Sequence, residues 1–189
     1  MKKILVVLAV LIFLSPLLPA RGDTFFASVG GAALFPGDKN FKNLYGDVLL
    51  SPEIKVGYNL YRNFYFWLGG SFASATGALP VLEDEIKATQ TFLSLGAGWE
   101  TRRGRRWQGE FFAALLLAGF REKAMGATAS KTAPGFDLGT GLRYYLGKKT
   151  FVGMTVGYAG AWTTARTEAL ERDIILGGLR LGAGLGFRF

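Results

Sequence analysis

Eight charged residues lie where an alternating pattern places them on one side of a strand. They are Glu53, Lys55, Glu100, Glu110, Asp137, Arg143, Arg180 and Arg188. Four are acids and four are bases, so the set can neutralise itself. Pairing between guanidinium or ammonium groups and carboxylates is the chemistry that these residue types predict, because an unpaired charge inside a protein is very costly. A second interpretation is an ion path through an exchanging network.

Catalytic and metal-binding chemistry has little support in the composition. The chain contains no histidine and no cysteine, which removes the commonest general base and metal ligand, thiol nucleophiles and disulfides. No serine stands beside a plausible base, and the acids are already assigned to basic partners. We therefore expect a non-enzymatic protein with no cofactor and no metal site.

These charges lie in segments in which apolar residues alternate with glycine, polar or charged residues. Eight such segments predict strands at about 24–34, 53–61, 64–75, 87–100, 107–120, 136–146, 151–164 and 174–189. In the last one, LRLGAGLGFRF, the apolar residues occupy one face, while arginine and glycine occupy the other. Each segment is near the roughly 10 residues that a tilted strand needs to cross a membrane.

The connections alternate in length. Tight turns follow the second, fourth and sixth segments, whereas the other connections are long, at roughly 36–52, 76–86, 121–135 and 165–173. An up-and-down barrel with short periplasmic turns and long outer loops has this asymmetry. The fold class predicted is therefore all-β, an eight-stranded antiparallel up-and-down transmembrane barrel.

A short sequence repeat indicates that the fourth, sixth and eighth predicted strands are related. LG-x-G begins at Leu95, Leu138 and Leu181, 43 residues apart each time. Glycine pairs also occur in nucleotide-binding turns, but no helical periodicity follows these. Glycine inside a strand permits curvature and close approach of a large neighbour, so we predict large side chains beside the inner glycines.

The outward candidates from Leu93 to Trp99 on the fourth strand, from Phe136 to Tyr144 on the sixth and from Val152 to Trp162 on the seventh carry no charge. Trp99, Trp107, Tyr144 and Trp162 fall towards strand ends, where interfacial aromatic girdles lie. The fifth strand is apolar on both faces beyond Glu110. Its inward side chains either fill the core or line a slot for an acyl chain.

Residues 1–22 have the pattern of a secretory signal peptide, with Lys2 and Lys3 before a short apolar run and small residues at the exit. The domains predicted are this signal and a barrel over 23–189. Cleavage after Ala20 and an uncleaved anchor are alternatives.

Basic residues concentrate in the tight turns. The turn TRRGRR carries Arg102, Arg103, Arg105 and Arg106 without any acid. These residues either contact anionic phospholipid headgroups or are ordinary solvated turn residues. The run has no interleaved aromatic residue, so we expect no nucleic-acid binding.

With these features the sequence resembles the eight-stranded outer-membrane barrels, namely the OmpA-type transmembrane domain and its OmpX-like and Ail-like relatives. The resemblance implies a multi-pass location in the outer membrane of a Gram-negative envelope, in contact with its lipids. It implies that the final aromatic Phe189, with Phe187 two residues before it, is a signal for the barrel-assembly machinery.

The resemblance does not extend to two properties of some relatives. We expect no peptidoglycan-binding domain of the kind that full-length OmpA-type proteins carry. The eight-stranded barrels that modify lipid A use a histidine, which this chain lacks.

The function expected is structural, or surface interaction through long outer loops with an unknown ligand, in a monomer whose lumen is plugged by the charged network. The alternatives are a small pore, a carrier with an apolar lumen slot for a lipid or acyl chain, and a soluble lipocalin-like barrel. Uncharged outward faces argue against the soluble barrel.

Overall fold

Eight antiparallel strands close into a single barrel. The computed structural model describes residues 25–61, 63–78, 85–101, 106–124, 127–167 and 170–189. The strands are β1 Phe25–Pro36, β2 Leu49–Tyr61, β3 Phe64–Ala78, β4 Glu85–Glu100, β5 Trp107–Ala124, β6 Ala127–Tyr145, β7 Thr150–Thr167 and β8 Leu170–Arg188, with one helix, α1 Lys39–Tyr45, between β1 and β2. The predicted fold class is confirmed.

Closure is made by the first and last strands. β1 pairs with β8 from Phe26 opposite Arg188 to Pro36 opposite Gly178, and every other strand pairs with its sequence neighbours. A closed ladder gives each strand two hydrogen-bonded neighbours, so the sheet has no open edge. Within the described ranges, no helix combines the length and apolar character needed to span a membrane.

The two faces of the sheet differ as the alternation predicts. Along β8, Leu179, Leu181 and Leu185 are exposed on the outside, whereas Arg180 and Arg188 are buried on the inside. The predicted girdle residue Trp107 packs against Tyr144 with ring centroids 4.7 Å apart.

Several predicted strand limits are wrong. β5 and β6 stay paired as far as Ala124 opposite Ala127, so most of 121–135 is a hairpin rather than an open loop. β7 and β8 likewise reach Thr167 and Leu170. The additional residues are mostly small or polar, so they lack the alternation of large apolar residues on which the prediction relied, although their backbones still pair.

The first connection is also different from prediction. Residues 39–45 form α1, which begins after its N-cap Asp38 and ends at Gly46. The Asp38 carboxylate accepts hydrogen bonds from the backbone N–H groups of Asn40 (2.8 Å) and Phe41 (3.0 Å), which satisfies two of the free donors of the first turn.

β8 bends sharply where it meets this connection. Gly177 and Gly178 have φ values of 90° and 156°, in the region that L side chains rarely adopt. The Gly177 carbonyl accepts a hydrogen bond of 2.9 Å from the Gly37 N–H, which ties the segment before α1 to the bend.

Inner glycines accommodate aromatic rings, as predicted for the LG-x-G strands. A Cβ added at Gly98 would lie 2.2 Å from the ring of Tyr65, and one at Gly186 would lie 2.1 Å from the ring of Phe151. Glycine at these positions is therefore required by packing inside the barrel.

Replacement of Gly186 by alanine should destabilise the barrel by about 1–3 kcal/mol, because the Phe151 ring must move out of a packed position. Gly31→Ala is the matched control. Its added Cβ would meet only the Ser51 carbonyl oxygen, at 3.8 Å, so its stability should stay within about 0.5 kcal/mol of the parent. Urea unfolding of the protein in lipid vesicles measures both. Equal stability of the two variants would contradict this packing argument.

Candidate functional site in the barrel lumen

The inward charges form two clusters along the lumen. The lower cluster lies at the end of the barrel with the tight turns. There, one guanidinium bridges two carboxylates, because Arg143 contacts Glu100 through Nη1 and Glu110 through Nη2. Arg188 Nη2 lies 2.6 Å from the second oxygen of Glu100. Glu100 is completely buried, so its charge is balanced by the two arginines alone.

Aromatic rings surround the lower cluster. The guanidinium carbon of Arg143 lies 4.9 Å from the ring centroids of both Phe26 and Phe151. Arg188 lies 4.7 Å from that of Tyr145. These distances are within the range of cation–π attraction, so the rings stabilise the arginines while excluding water.

Two polar side chains complete the hydrogen bonding of the lower cluster. The hydroxyl of Tyr65 donates to Glu110 Oε2 at 2.9 Å. Arg188 donates to the amide oxygen of Gln108 at 3.3 Å. The carboxylates are thus held by donors from several strands, which fixes their orientation across the lumen.

The upper cluster is built around Arg180. Its Nη2 lies 2.5 Å from Asp137 and its Nη1 lies 3.2 Å from Glu53. The hydroxyl of Ser94 donates to the other Asp137 oxygen at 3.3 Å. One arginine of β8 therefore joins carboxylates of β2 and β6 through the interior.

Lys55 lies between the two clusters and differs from the other cations. Its ammonium is 5.1 Å from the ring centroid of Trp67 and 4.9 Å from that of Phe112. It forms no ion pair with any residue that the structure describes. A cavity of about 50 Å³ adjoins it, lined also by Glu53, Glu110 and Arg143, with room for a few water molecules.

The outer half of the lumen is apolar. Phe41 and Tyr45 of α1 are buried there, and their ring centroids lie 4.6 Å apart. Phe41 also approaches the ring of Phe120, at 6.4 Å. The surrounding buried residues come from all eight strands and include Leu34, Leu49, Ile86, Phe92, Leu116 and Leu176.

α1 is therefore a helix folded into the mouth of the barrel. Burial, together with the nearby carboxylate of Glu122, raises the pKa of Tyr45 above its ordinary value, so the phenol stays neutral. Asp38 Oδ2 accepts a hydrogen bond of 3.5 Å from the Ile175 N–H of β8, in addition to capping the helix.

A buried amide lies within the apolar part. Gln90 of β4 accepts a hydrogen bond of 2.9 Å from the Gly177 N–H at the bend of β8. This contact links opposite sides of the barrel just below α1.

All eight charged residues predicted from the sequence line the lumen, and seven of them form the ion pairs above. Phe187 and Phe189 lie on the exterior with partly exposed rings. Arg106 is exposed at the tight turn, whereas Arg102, Arg103 and Arg105 lie outside the described residues, as does the predicted signal peptide.

Sequence reasoning missed Tyr65, Gln108, Gln90 and the whole of α1. The helix has a local signal, since an Asp N-cap, apolar residues at Phe41, Leu44 and Tyr45, and Gly46 follow in helical spacing. For Tyr65, Gln108 and Gln90, the only indication in the sequence is the alternation along the strand, which places them on the inward face.

The arrangement favours charge neutralisation over catalysis. Three of the four carboxylates contact two donor groups each, and Glu53 contacts Arg180. Within the described part of the chain, no three acidic residues converge on a point that could hold a metal ion.

The lower cluster should be more sensitive to charge removal than the upper one. Glu100→Gln leaves Arg143 with Glu110 alone and Arg188 with no carboxylate partner in the cluster, so we expect a loss of about 3–5 kcal/mol of unfolding free energy. Glu53→Gln is the matched control with the same chemical change. It should cost less, because Arg180 keeps Asp137. Urea titration in lipid vesicles compares the two, and a loss at Glu53 as large as that at Glu100 would contradict this ranking.

Solved structures of outer-membrane proteins share this architecture. OprG from Pseudomonas aeruginosa aligns with a TM-score of 0.71 and 15% identity, over 90% of this chain and 98% of that one. Neisserial surface protein A aligns with a TM-score of 0.65 and 15% identity, over 90% and 100%. The attachment invasion locus protein Ail of Yersinia pestis aligns with a TM-score of 0.57 and 15% identity, over 89% and 100%.

No protein-family model matches the sequence, and no curated protein matches it in sequence. The structural likeness nevertheless extends over 90% of this chain for both OprG and Neisserial surface protein A. The chain has the fold of the eight-stranded transmembrane β-barrels of bacterial outer membranes.

Proposed function

We propose that this protein is a non-enzymatic, monomeric, integral outer-membrane barrel with a closed lumen, and that its role is structural or is surface interaction through its outer connections. The observation that carries the proposal is that the distribution of charged and apolar residues is the reverse of that in a soluble protein. Charged residues lie inside in pairs, and large apolar residues lie outside.

The exterior supports the location in lipid. Leu50, Leu115 and Met154 are 81%, 76% and 58% exposed, and they belong to a band of similar residues on every strand. A water-soluble protein rarely exposes a continuous apolar surface of this extent. In a bilayer the same side chains are in contact with acyl chains, and the closed ladder pairs the backbone groups of neighbouring strands with each other, as a lipid environment requires.

The interior supports a closed lumen. Eight strands enclose a space that side chains can fill. Arg143 and Arg180 each contact two carboxylates inside that space, and α1 occupies the outer mouth. An ion entering from either end would have to separate these pairs or displace the helix.

The non-enzymatic part of the proposal rests on the side-chain inventory. There is no histidine or cysteine in the chain, and the inward acids have guanidinium partners. The outer connections and the long β5–β6 hairpin are left as the surface available to an outside partner.

An apolar carrier is the second candidate, and the lumen-facing Phe92, Leu116 and Phe120 favour it. The rings of Phe41 and Tyr45 occupy the space among these residues, so a carrier would require α1 to withdraw. Saturable binding of a fluorescent fatty acid by the unmodified protein would favour the carrier over the closed barrel.

Cell fractionation followed by planar-bilayer recording tests the proposal. We expect recovery with the outer membrane, release by detergent but not by alkaline carbonate, and a conductance no higher than that of protein-free bilayers. Recovery in the soluble periplasmic fraction would contradict the membrane location. Stepwise conductance would contradict the closed lumen but not the membrane location. The experiment therefore tests these two parts of the proposal independently.

A further inference from the structure

Three cations cluster on the outward face of β4 and β5, near the outer end of the barrel. Lys87 stands directly opposite Lys123, and Arg121 is two residues along β5 on the same face. All three side chains are exposed. Directly opposite residues on antiparallel strands have Cβ atoms about 5 Å apart, so the three charged groups can reach a common point.

This placement is unfavourable unless an anion is present. Like charges directly opposite each other destabilise a strand pair. None of the three cations forms an ion pair with another residue in the described ranges. The adjacent acid Glu122 alternates to the inner face, where its carboxylate acts on Tyr45.

Hydroxyl groups flank the cations on the same face. Thr89 lies opposite Arg121 on β4, and Ser130 lies opposite Arg121 on β6. Thr128 lies opposite Lys123. The residues paired with Arg121 on both sides, and with Lys123 on β6, are therefore neutral hydrogen-bond donors. Three cations next to such hydroxyl groups are a combination suited to phosphate oxygens.

The cluster lies at the border of the apolar band. Along β5 the outward residues run from Trp107 through Leu115 and Leu117 before they become polar. Arg121 is four residues beyond Leu117, about 13 Å along the strand, or about 10 Å along the membrane normal for a strand tilted by about 40°. The long side chains of lysine and arginine can reach back over part of this distance, into the headgroup layer.

We propose that Lys87, Arg121 and Lys123 form a binding site for the phosphate of an anionic lipid in the outer leaflet. Free phosphate has the same headgroup chemistry, but Leu93 and Leu117, which pair directly below, offer a surface for the acyl chains. A lipid can use both parts of this surface, whereas a free anion uses only the cations. The inference rests on the proposed insertion in a membrane.

Native mass spectrometry of the delipidated full chain in detergent micelles tests the site. The probes are dioctanoyl phosphatidic acid, dioctanoyl phosphatidylcholine and inorganic phosphate. The wild type should bind phosphatidic acid at least about tenfold more tightly than phosphatidylcholine. Because each cation near an anionic headgroup contributes about a fivefold factor, K87Q/R121Q/K123Q should weaken phosphatidic acid binding by on the order of 100-fold.

The matched control is K39Q/K42Q/K131Q, which removes the same charge at the same end of the barrel. Lys39 and Lys42 belong to α1, and Lys131 lies opposite Phe120, whose side chain faces the lumen. This control should keep phosphatidic acid binding within about twofold of wild type, and the thermal unfolding of both triple variants should confirm that they are folded.

Three results would overturn the inference. They are no preference of the wild type for phosphatidic acid, equal losses in the two triple variants, and displacement of the lipid by equimolar inorganic phosphate, which would indicate a free-anion site. Flotation of the wild type with phosphatidylcholine vesicles separates this failure from that of the proposed function. A protein that does not float overturns both, whereas one that floats without a headgroup preference overturns only the lipid site.

Discussion

The hydrogen-bond ladder between β1 and β8 is the contact on which the rest of the structure depends. Lipid offers no partner to a backbone N–H or C=O, so a sheet that crosses a membrane must close on itself. Closure also creates an inside. Once the register of Phe26 opposite Arg188 is set, strand alternation decides for every residue whether it faces lipid or the lumen. A slip by one residue would turn Arg180 into lipid, at a cost of about 2–4 kcal/mol near the membrane midplane.

The interior is arranged in layers of different polarity. Near the tight turns, Arg143 and Arg188 share Glu100 inside a ring of aromatic side chains. Above them, Arg180 joins Glu53 and Asp137. The outer half is apolar and receives α1. Each of the four carboxylates contacts a guanidinium group, and the ammonium of Lys55 lies between the two charged layers. No carboxylate is therefore left uncompensated in a space with little water. The inner glycines complete this arrangement by making room for the rings that pack on the arginines.

Much of this architecture could be predicted from the sequence, because parity along a strand is a strong and simple signal. The unbroken alternation in 179–189 assigns Leu181 to the exterior and Arg180 to the interior without any knowledge of the partners. The choice of partners is different. Arg143 meeting both Glu100 and Glu110 depends on the stagger between strands, which alternation does not specify. The extensions of β5 and β6 have no face of large apolar residues, so their pairing was not detectable from hydrophobicity.

α1 shows a second limit. The stretch from Asp38 to Gly46 contains a cap, an apolar spacing and a terminating glycine, but it is only seven helical residues long. A helix this short is not stable in isolation. Its stability comes from burial of Phe41 and Tyr45 among residues of distant strands, and local sequence does not contain that information. The same holds for Gln90, whose role depends on the bend at Gly177 in β8.

The central claim is that strand alternation separates lipid from lumen in a membrane-inserted barrel. Spin labels attached to single cysteines introduced at each position from 179 to 185 test it directly, because the chain has no native cysteine. In lipid vesicles, labels at odd positions should be accessible to dissolved oxygen and protected from a polar nickel reagent. Labels at even positions should be accessible to neither. Access of the polar reagent to the odd positions, or the loss of the two-residue period, would contradict the account.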